Sequence, residues 1–194
     1  MSQTPHLLAF AGSARKDSYN KKLIRLAAEA ARAAGAEVTL VDLKDFPMPL
    51  FNQDLEAESG LPETVKQFKQ LMKTHGSLLL ACPEYNSSIT PLLKNTIDWC
   101  SRQEQGEEPL VCFRGKVAAL LSASPGALGG LRGLVHVRSI LGNIGVLVLP
   151  DQVAIVRAHE AFNTDGSLKQ AAQQSAIEAV ATTLAKTVMK LKTA

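Results

Sequence analysis

Residues 77–88 read Ser-Leu-Leu-Leu-Ala-Cys-Pro-Glu-Tyr-Asn-Ser-Ser, an apolar run that stops at a proline and opens into a polar segment. A continuous apolar run without alternation is typical of a strand that is covered on both faces. Pro91 then stands where a first helical residue is expected, with Thr90 as its N-cap. The stretch predicts a buried strand, a loop and a helix. In an open α/β sheet such a loop is the usual place for a ligand.

The same alternation of strand and helix extends over the rest of the chain. Further strands are predicted at residues 7–11, 37–43, 116–122 and 146–150, with 152–156 continuing the last strand or pairing beside it. Helices are predicted at 20–34, 62–76, 91–100, 131–141 and 168–191, and long loops at 44–61 and 102–115. This pattern predicts an α/β fold, a doubly wound five-stranded parallel sheet with helices on both faces. The two common strand orders are 3-2-1-4-5 and 2-1-3-4-5.

The composition suits one domain, and we expect residues 1–194 to form a single unit. The net charge of +3 is too small and too evenly spread to indicate a nucleic-acid partner. The three cysteines fit neither a disulfide framework nor a Cys-x-x-Cys site. The N-terminus lacks the pattern of a signal peptide, and no apolar run approaches the ~20 residues of a membrane helix. We therefore expect a cytoplasmic protein without a membrane partner.

The loop after the first predicted strand reads Gly12-Ser13-Ala14-Arg15-Lys16-Asp17-Ser18-Tyr19-Asn20. It matches neither Gly-x-Gly-x-x-Gly nor the Walker pattern, so it does not indicate a pyrophosphate against bare backbone. Two hydroxyls, an amide and a guanidinium just before a helix N-terminus suit a single terminal phosphate. Alternatively, Ser18 or Asn20 caps the helix and Arg15 is solvated.

The loops after the third and fourth predicted strands are also unusual. Glu84, Tyr85 and Asn86 could line a planar heterocycle, which needs an apolar face and a few fixed donors, or they could form a capped turn. The segment 124–130 carries three glycines, which would let the backbone approach a ligand closely or simply begin a helix. In the order 2-1-3-4-5 the loops after strands 1, 3 and 4 border one crevice. Their shared polar or glycine-rich character favours that order.

Three motifs resemble those of the NADPH-dependent FMN reductase family, a branch of the flavodoxin-like fold that includes quinone, azo-dye and chromate reductases. They are Gly12-Ser13-x-Arg15-x-x-Ser18-x-Asn20, Pro83-Glu84-Tyr85-Asn86 and Leu93-Lys94-Asn95-x-x-Asp98-Trp99. The resemblance extends from about residue 7 to 156. It implies that FMN is bound by Ser13, Arg15, Ser18, Tyr19 and Asn20 around the phosphate, by Pro83, Glu84, Tyr85 and Asn86 at the ring, and by Ser124 and Gly126 in a second ring-side loop.

The resemblance implies that NADPH or NADH delivers hydride to FMN, which then reduces a quinone-like or other small-molecule acceptor. Because the flavin performs this chemistry, we expect no catalytic side chain and no metal. An alternative is a flavodoxin-type electron carrier, but such carriers tend to be strongly acidic and to flank the ring with aromatics. The net charge here is +3 and aromatic residues are 5%. A non-enzymatic flavin-binding regulator is a third possibility, which no DNA-reading element supports.

The segment 44–61 bears on the oligomeric state. Its apolar side chains could form a second wall for the nicotinamide in a neighbouring subunit, or the segment could fold back on its own sheet. The resemblance implies a homodimer or homotetramer. In the third motif, Lys94, Asn95 and Asp98 are expected to be structural, and Trp99 to lie under a loop or in a subunit interface.

Overall fold

A five-stranded parallel sheet is the centre of the computed structural model, which describes residues 4–192. The strands are β1 (His6–Ala11), β2 (Glu37–Asp42), β3 (Ser77–Ala81), β4 (Glu84–Tyr85), β5 (Ser88–Ile89), β6 (Val117–Ala123) and β7 (Leu147–Ile155). The helices are α1 (Tyr19–Ala33), α2 (Gln53–Ser59), α3 (Glu63–Thr74), α4 (Pro91–Cys100), α5 (Leu131–Asn143), α6 (Ala158–Ala161) and α7 (Ala171–Lys192). The sheet order is β2-β1-β3-β6-β7, which confirms the predicted flavodoxin-like order 2-1-3-4-5.

The apolar strands are covered on both faces, as their lack of alternation predicts. Alternate residues of β1 enter different layers: Leu7 and Ala9 pack with α1 and α7, whereas Leu8 and Phe10 pack with α3, α4 and α5. All four side chains are buried. The two helical layers cover the faces of the sheet, and the loops after β1, β3 and β6 lie at its carboxyl edge.

Several element boundaries differ from those predicted. The segment 44–61 is not a continuous loop, because Asn52 caps the short helix α2 with its side chain. The last strand runs from Leu147 through Pro150 to Ile155, and a register shift opposite Ala118 and Leu120 accommodates the proline as a bulge. Helix α5 continues past Gly142 to Asn143, α7 begins at 171 instead of 168, and α6 was not predicted.

The segment 44–61 folds back onto its own chain. The Asn95 side chain accepts a hydrogen bond from the Phe51 N–H at 2.7 Å and donates one to the carbonyl of Pro49 at 2.9 Å. Trp99 is fully buried, donates to the same carbonyl at 2.7 Å and meets the Phe51 ring edge to face. Of the two predicted places for Trp99, the structure shows the one under a loop.

A buried ion cluster holds the 102–115 loop on α3. The ammonium of Lys69 has no exposure and donates to Glu107 at 2.5 Å and to the carbonyl of Arg102 at 2.7 Å. Burial alone would raise the pKa of Glu107, but hydrogen bonds from Lys69 and Lys73 outweigh it and bring that pKa down to about 2.

The β4–β5 hairpin forms the tip of the loop after β3. Its two-residue turn consists of Asn86 and Ser87, with φ angles of 50° and 68°. Both angles lie in the left-handed region, as a type I′ turn requires. Asparagine tolerates this conformation, whereas serine is strained there because of its Cβ.

We predict that Glu107→Gln lowers the free energy of unfolding at pH 7 by about 3 kcal/mol, because the buried Lys69 loses its nearer counter-charge and keeps only Glu104 at 3.4 Å. Glu108→Gln, at an exposed position of the same loop, is the matched control and should change little. Since the pKa of Glu107 is lowered on folding, its contribution is present above its ordinary pKa of 4.5 and is lost as the pH falls towards about 2. Urea unfolding across this range should show a flatter pH dependence in the Glu107 variant. Equal unfolding free energies for the two variants at pH 7 would contradict the assignment.

We also predict that Ser87→Gly stabilises the protein by about 1 kcal/mol, because glycine adopts a positive φ without strain. Ser88→Gly should have the opposite effect, since Ser88 lies in a strand and its hydroxyl is 2.9 Å from His136 Nδ1. Thermal unfolding of both variants measures the difference. A lower melting temperature for Ser87→Gly would show that the turn is not strained in solution.

Candidate functional site

The loops after β1, β3 and β6 enclose one open crevice of about 550 Å³ at the carboxyl edge of the sheet. We call it the main crevice. All of the predicted site residues except Asn86 and Gly126 line it, together with three residues that were not singled out. Its lining residues are Ser13, Arg15, Asp17, Ser18, Tyr19, Asn20, Pro83, Glu84, Tyr85, Ala123, Ser124 and Pro125.

The first two of these loops meet at Gly12, directly after β1. Its N–H donates to the carbonyl of Ala81 at 2.9 Å, and its own carbonyl accepts from the Thr90 hydroxyl at 2.7 Å. A Cβ at this position would lie 3.0 Å from Leu93 Cβ and 3.3 Å from Pro83 Cδ. Glycine therefore lets α4 and the loop after β3 approach the end of β1 closely, and a larger residue would push Leu93 or Pro83 back by a few tenths of an ångström.

The loop after β1 places two buried hydroxyls at the start of α1. Ser18 has the extended backbone of an N-cap, yet among the described residues no helix N–H donates to its side chain. The simple capping alternative for Ser18 is thus not realised. The Ser13 hydroxyl accepts from the N–H of Arg15 at 3.3 Å, and the Arg15 guanidinium donates to the carbonyl of Asp17 at 3.0 Å while remaining exposed.

Asn20 joins this loop to the end of β6. Its amide donates to the carbonyl of Ala123 at 2.8 Å and accepts from the N–H of the same residue at 3.0 Å. The side chain thus bonds to the end of β6 as a neighbouring strand would. Beside it, the Tyr19 ring stacks on Phe162, with centroids 6.1 Å apart. Both positions line the main crevice and are also engaged with protein groups.

The Glu84 carboxylate lies against the N-terminal turn of α5. It accepts from the Gly133 N–H at 2.9 Å and from the Arg132 guanidinium at 2.8 Å. Burial would raise the pKa of Glu84, but these hydrogen bonds outweigh it, so the pKa is lowered and the group is ionised at neutral pH. Tyr85, in contrast, is 54% exposed at the rim of the crevice.

The glycines before α5 serve packing within the protein. A Cβ on Gly130 would lie 1.9 Å from Ser122 Oγ, and one on Gly129 would lie 2.8 Å from the backbone of Ile155. The sequence left two roles open for this segment, close approach to a ligand or the start of a helix. The tight packing at these two glycines favours the start of a helix. Gly126 is different, since the nearest atom to its added Cβ is Ser124 Oγ at 3.7 Å, on the open side of the loop.

The end of β7 supports the loop after β6. The Ser124 N–H donates to the carbonyl of Ile155 at 3.1 Å, and its carbonyl accepts from the N–H of Ala158 at 3.0 Å. Arg157 lies between them with a positive φ of 44° and donates its N–H to the carbonyl of Gly126. These backbone contacts have no sequence signal, because any residue type can make them.

The cysteine thiols lie away from solvent. Cys82, Cys100 and Cys112 are unpaired and buried. Burial raises the pKa of Cys82 to about 12 and that of Cys112 to about 11, and it also raises the pKa of Cys100.

In residues 4–192 no three His, Cys, Asp or Glu side chains are grouped to hold a metal ion. Over the same range, no helix combines the length and the apolar character that a bilayer crossing requires.

The comparisons with known proteins identify the family. The family model described as NADPH-dependent FMN reductase matches residues 5–160. The chain is 37% identical over 169 residues to an NAD(P)H-dependent FMN reductase of Pseudomonas aeruginosa, covering 87% of this chain and 86% of the relative. It is 40% identical over 141 residues to a quinone reductase of Pseudomonas putida, covering 73% and 72%.

A solved structure is similar over nearly the whole chain. It is FerB, a flavoenzyme NAD(P)H:(acceptor) oxidoreductase from Paracoccus denitrificans, with a TM-score of 0.81 and 26% identity. The superposition covers 96% of this chain and 98% of that chain. The sheet order, the family match and these relatives lead to one conclusion: the chain belongs to the NADPH-dependent FMN reductase family of flavin-dependent oxidoreductases.

Proposed function

We propose that the main crevice binds FMN, with the phosphate at the loop after β1 and the ring between the loops after β3 and β6, and that this site carries the NAD(P)H-dependent reductase activity. The observation that carries the placement is the Ser18 hydroxyl. Ser18 is 3% exposed at the N-terminus of a 15-residue helix, it lines the main crevice, and no helix N–H in the described chain donates to its hydroxyl. A group left in this way is available to a ligand anion.

The charge of the loop suits one phosphate group. Arg15 is the cationic residue of the crevice lining, which also contains the acidic Asp17 and Glu84, and the Ser13 and Ser18 hydroxyls add neutral donors beside it. The positive end of the α1 dipole adds to the attraction. Asn20 supports this arrangement from behind, because its amide fixes the first turn of α1 to Ala123, and we propose that it contacts the phosphate only with its remaining N–H.

At the flavin ring, the protein contributes the shape of the site and no acid or base. When bound, FMN supplies the hydride acceptor and donor of the reaction. Pro83, Tyr85 and Ser124 offer a rim of mixed polarity, and the carboxylate of Glu84, which also lines the crevice, is hydrogen-bonded to Arg132 and Gly133 of α5. We propose that Glu84 positions the ring loop and transfers no proton. Asn86 and Gly126 would shape the site through the backbone conformation of their loops.

The oligomeric state is a separate proposal. Leu131 and Val135 are 42% and 57% exposed on one face of α5, close to the ring loop. We propose that this face is buried in a homodimer or homotetramer, which sedimentation equilibrium would show as a mass above that of the 194-residue chain.

The unpaired thiols support a cytoplasmic location, and we propose that residues 1–194 form one FMN-binding domain.

A spectrum of the purified protein tests the function directly. The flavin absorption band should be present, or should appear when FMN is added, and anaerobic NADPH or NADH should bleach it faster than it bleaches free FMN. Re-oxidation by a quinone should then sustain turnover. The electron-carrier alternative, which the reductase relatives do not favour, would show bound FMN without accelerated bleaching.

We predict that Arg15→Ala weakens FMN binding by roughly 10–100-fold, because a charge-assisted hydrogen bond to the phosphate is lost. Riboflavin, which lacks the phosphate, should bind both proteins about equally. Lys16→Ala is the matched control, since Lys16 belongs to the same loop but lies outside the crevice lining. Quenching of flavin fluorescence measures all the affinities. An equal loss for FMN and riboflavin would place the phosphate elsewhere.

A further inference from the structure

A partly buried ion pair lies beside the loop after β1, outside the main crevice. The ammonium of Lys21, in the first turn of α1, is 2.6 Å from a carboxylate oxygen of Asp42, the last residue of β2. The Lys21 side chain is only 10% exposed, whereas that of Asp42 is 35% exposed. Neither residue lines the main crevice, and both line a separate cavity of about 240 Å³ between α1 and β2. Lys21 therefore faces the β2 side of the loop and not the proposed phosphate site.

The two residues of this pair are attached to opposite ends of the loop after β1, which comprises residues 12–18. Asp42 is the β-sheet partner of Ala11, the residue directly before the loop. The N–H of Lys21 donates to the carbonyl of Ser18, the residue that ends the loop, at 3.1 Å. The ion pair therefore joins the start of the loop to its end and sets the distance between them.

The Asp42 carboxylate is oriented by two donors. One oxygen accepts from Lys21, and the other accepts from the N–H of Lys44 at 3.0 Å, where Asp42 caps the 3-10 helix Leu43–Asp45. Burial would raise the pKa of Asp42, but these hydrogen bonds outweigh it, so the pKa is lowered and the group is ionised at neutral pH. A cation in the first turn of a helix is ordinarily unfavourable, because the helix N-terminus is itself positive. Asp42 compensates Lys21 for this repulsion.

Adjacent residues hold the first turn of α1 from two sides of the sheet. Asn20 bonds to Ala123 at the end of β6, and Lys21 bonds to Asp42 at the end of β2, with β1 and β3 between these strands. We propose that Lys21 is a positioning residue. Its ion pair with Asp42 holds the Ser18 hydroxyl and the free N–H groups of the α1 N-terminus where the FMN phosphate binds. The inference rests on the proposed function, in which the loop after β1 binds that phosphate.

Variants of the pair separate positioning from simple attraction between charges. Lys21→Met and Asp42→Ala should each weaken FMN binding about tenfold, because a displaced helix end loses one hydrogen bond to the phosphate. Riboflavin, which lacks the phosphate, should bind all forms equally. If Lys21 acted only through its charge, Lys21→Met would weaken FMN binding and Asp42→Ala would strengthen it. The double variant should bind FMN no more weakly than the weaker single variant, because both substitutions break the same contact. It also leaves no buried charge unpaired, which covers the case in which Asp42→Ala alone fails to fold.

Lys22→Met is the matched control, because it removes the same charge from the next residue of α1. The Lys22 ammonium lies over the Phe162 ring, 5.7 Å from its centroid, so this variant should bind FMN as the wild type does. Quenching of flavin fluorescence measures every affinity, and FMN-saturated Lys21→Met should be bleached by NADPH at the wild-type rate.

Three results would overturn the inference while leaving the proposed function intact. They are an unchanged FMN affinity in Lys21→Met, opposite effects of the two single substitutions, and an equal loss of affinity for FMN and riboflavin in Lys21→Met. A wild-type protein that binds FMN no more tightly than riboflavin would instead show that the phosphate is not held at this loop. The placement in the proposed function would then fail, and the inference with it.

Discussion

The contact between Gly12 and the first turn of α4 is the constraint on which the site depends. β1 and β3 are neighbours in the sheet, so the loops that follow them begin side by side. The Thr90 hydroxyl connects the two loops, because it accepts a hydrogen bond from the N–H of Leu93 at 3.2 Å and donates one to the carbonyl of Gly12 at 2.7 Å. One hydroxyl thus caps a helix and fixes a loop. The main crevice is lined by that loop together with the loops after β3 and β6.

The three loops of the main crevice are anchored by protein groups before any ligand is present. Asn20 attaches the first loop to the end of β6, and Glu84 attaches the second to α5. The third is held by backbone hydrogen bonds from the end of β7. Anchors of this kind reduce the conformational entropy that binding would otherwise cost, so the remaining polar groups can be directed at the ligand.

The fold could be predicted from the sequence because both faces of the sheet are covered, so the three central strands β1, β3 and β6 are nearly continuous apolar runs. The crevice could be predicted because the polar residues cluster in the loops that follow three of these strands. The roles of individual side chains could not be derived in this way. Glu84 finds its partners in Arg132 and Gly133, far along the chain, and no local pattern reports such a pairing. Gly129 and Gly130 are needed for contacts with Ser122 and Ile155, which only the folded chain brings together.

The boundary errors have a similar cause. Pro150 removes a backbone donor and predicts the end of a strand, but a bulge in an edge strand accommodates it. Helix α2 has only seven residues, with none of them buried, so it leaves no apolar periodicity to detect. Both features are decided by neighbours in space and not by neighbours in sequence.

The buried thiols have a consequence for an enzyme that handles quinones. Quinones are electrophiles as well as oxidants, and the thiolate form of cysteine is the nucleophile that adds to them. Cys82 directly precedes the ring loop, yet burial raises its pKa to about 12 and keeps it a neutral thiol behind Pro83. Cys100 and Cys112 are shielded in the same way. A reactive acceptor beside the cofactor would therefore meet no exposed thiolate from these three cysteines.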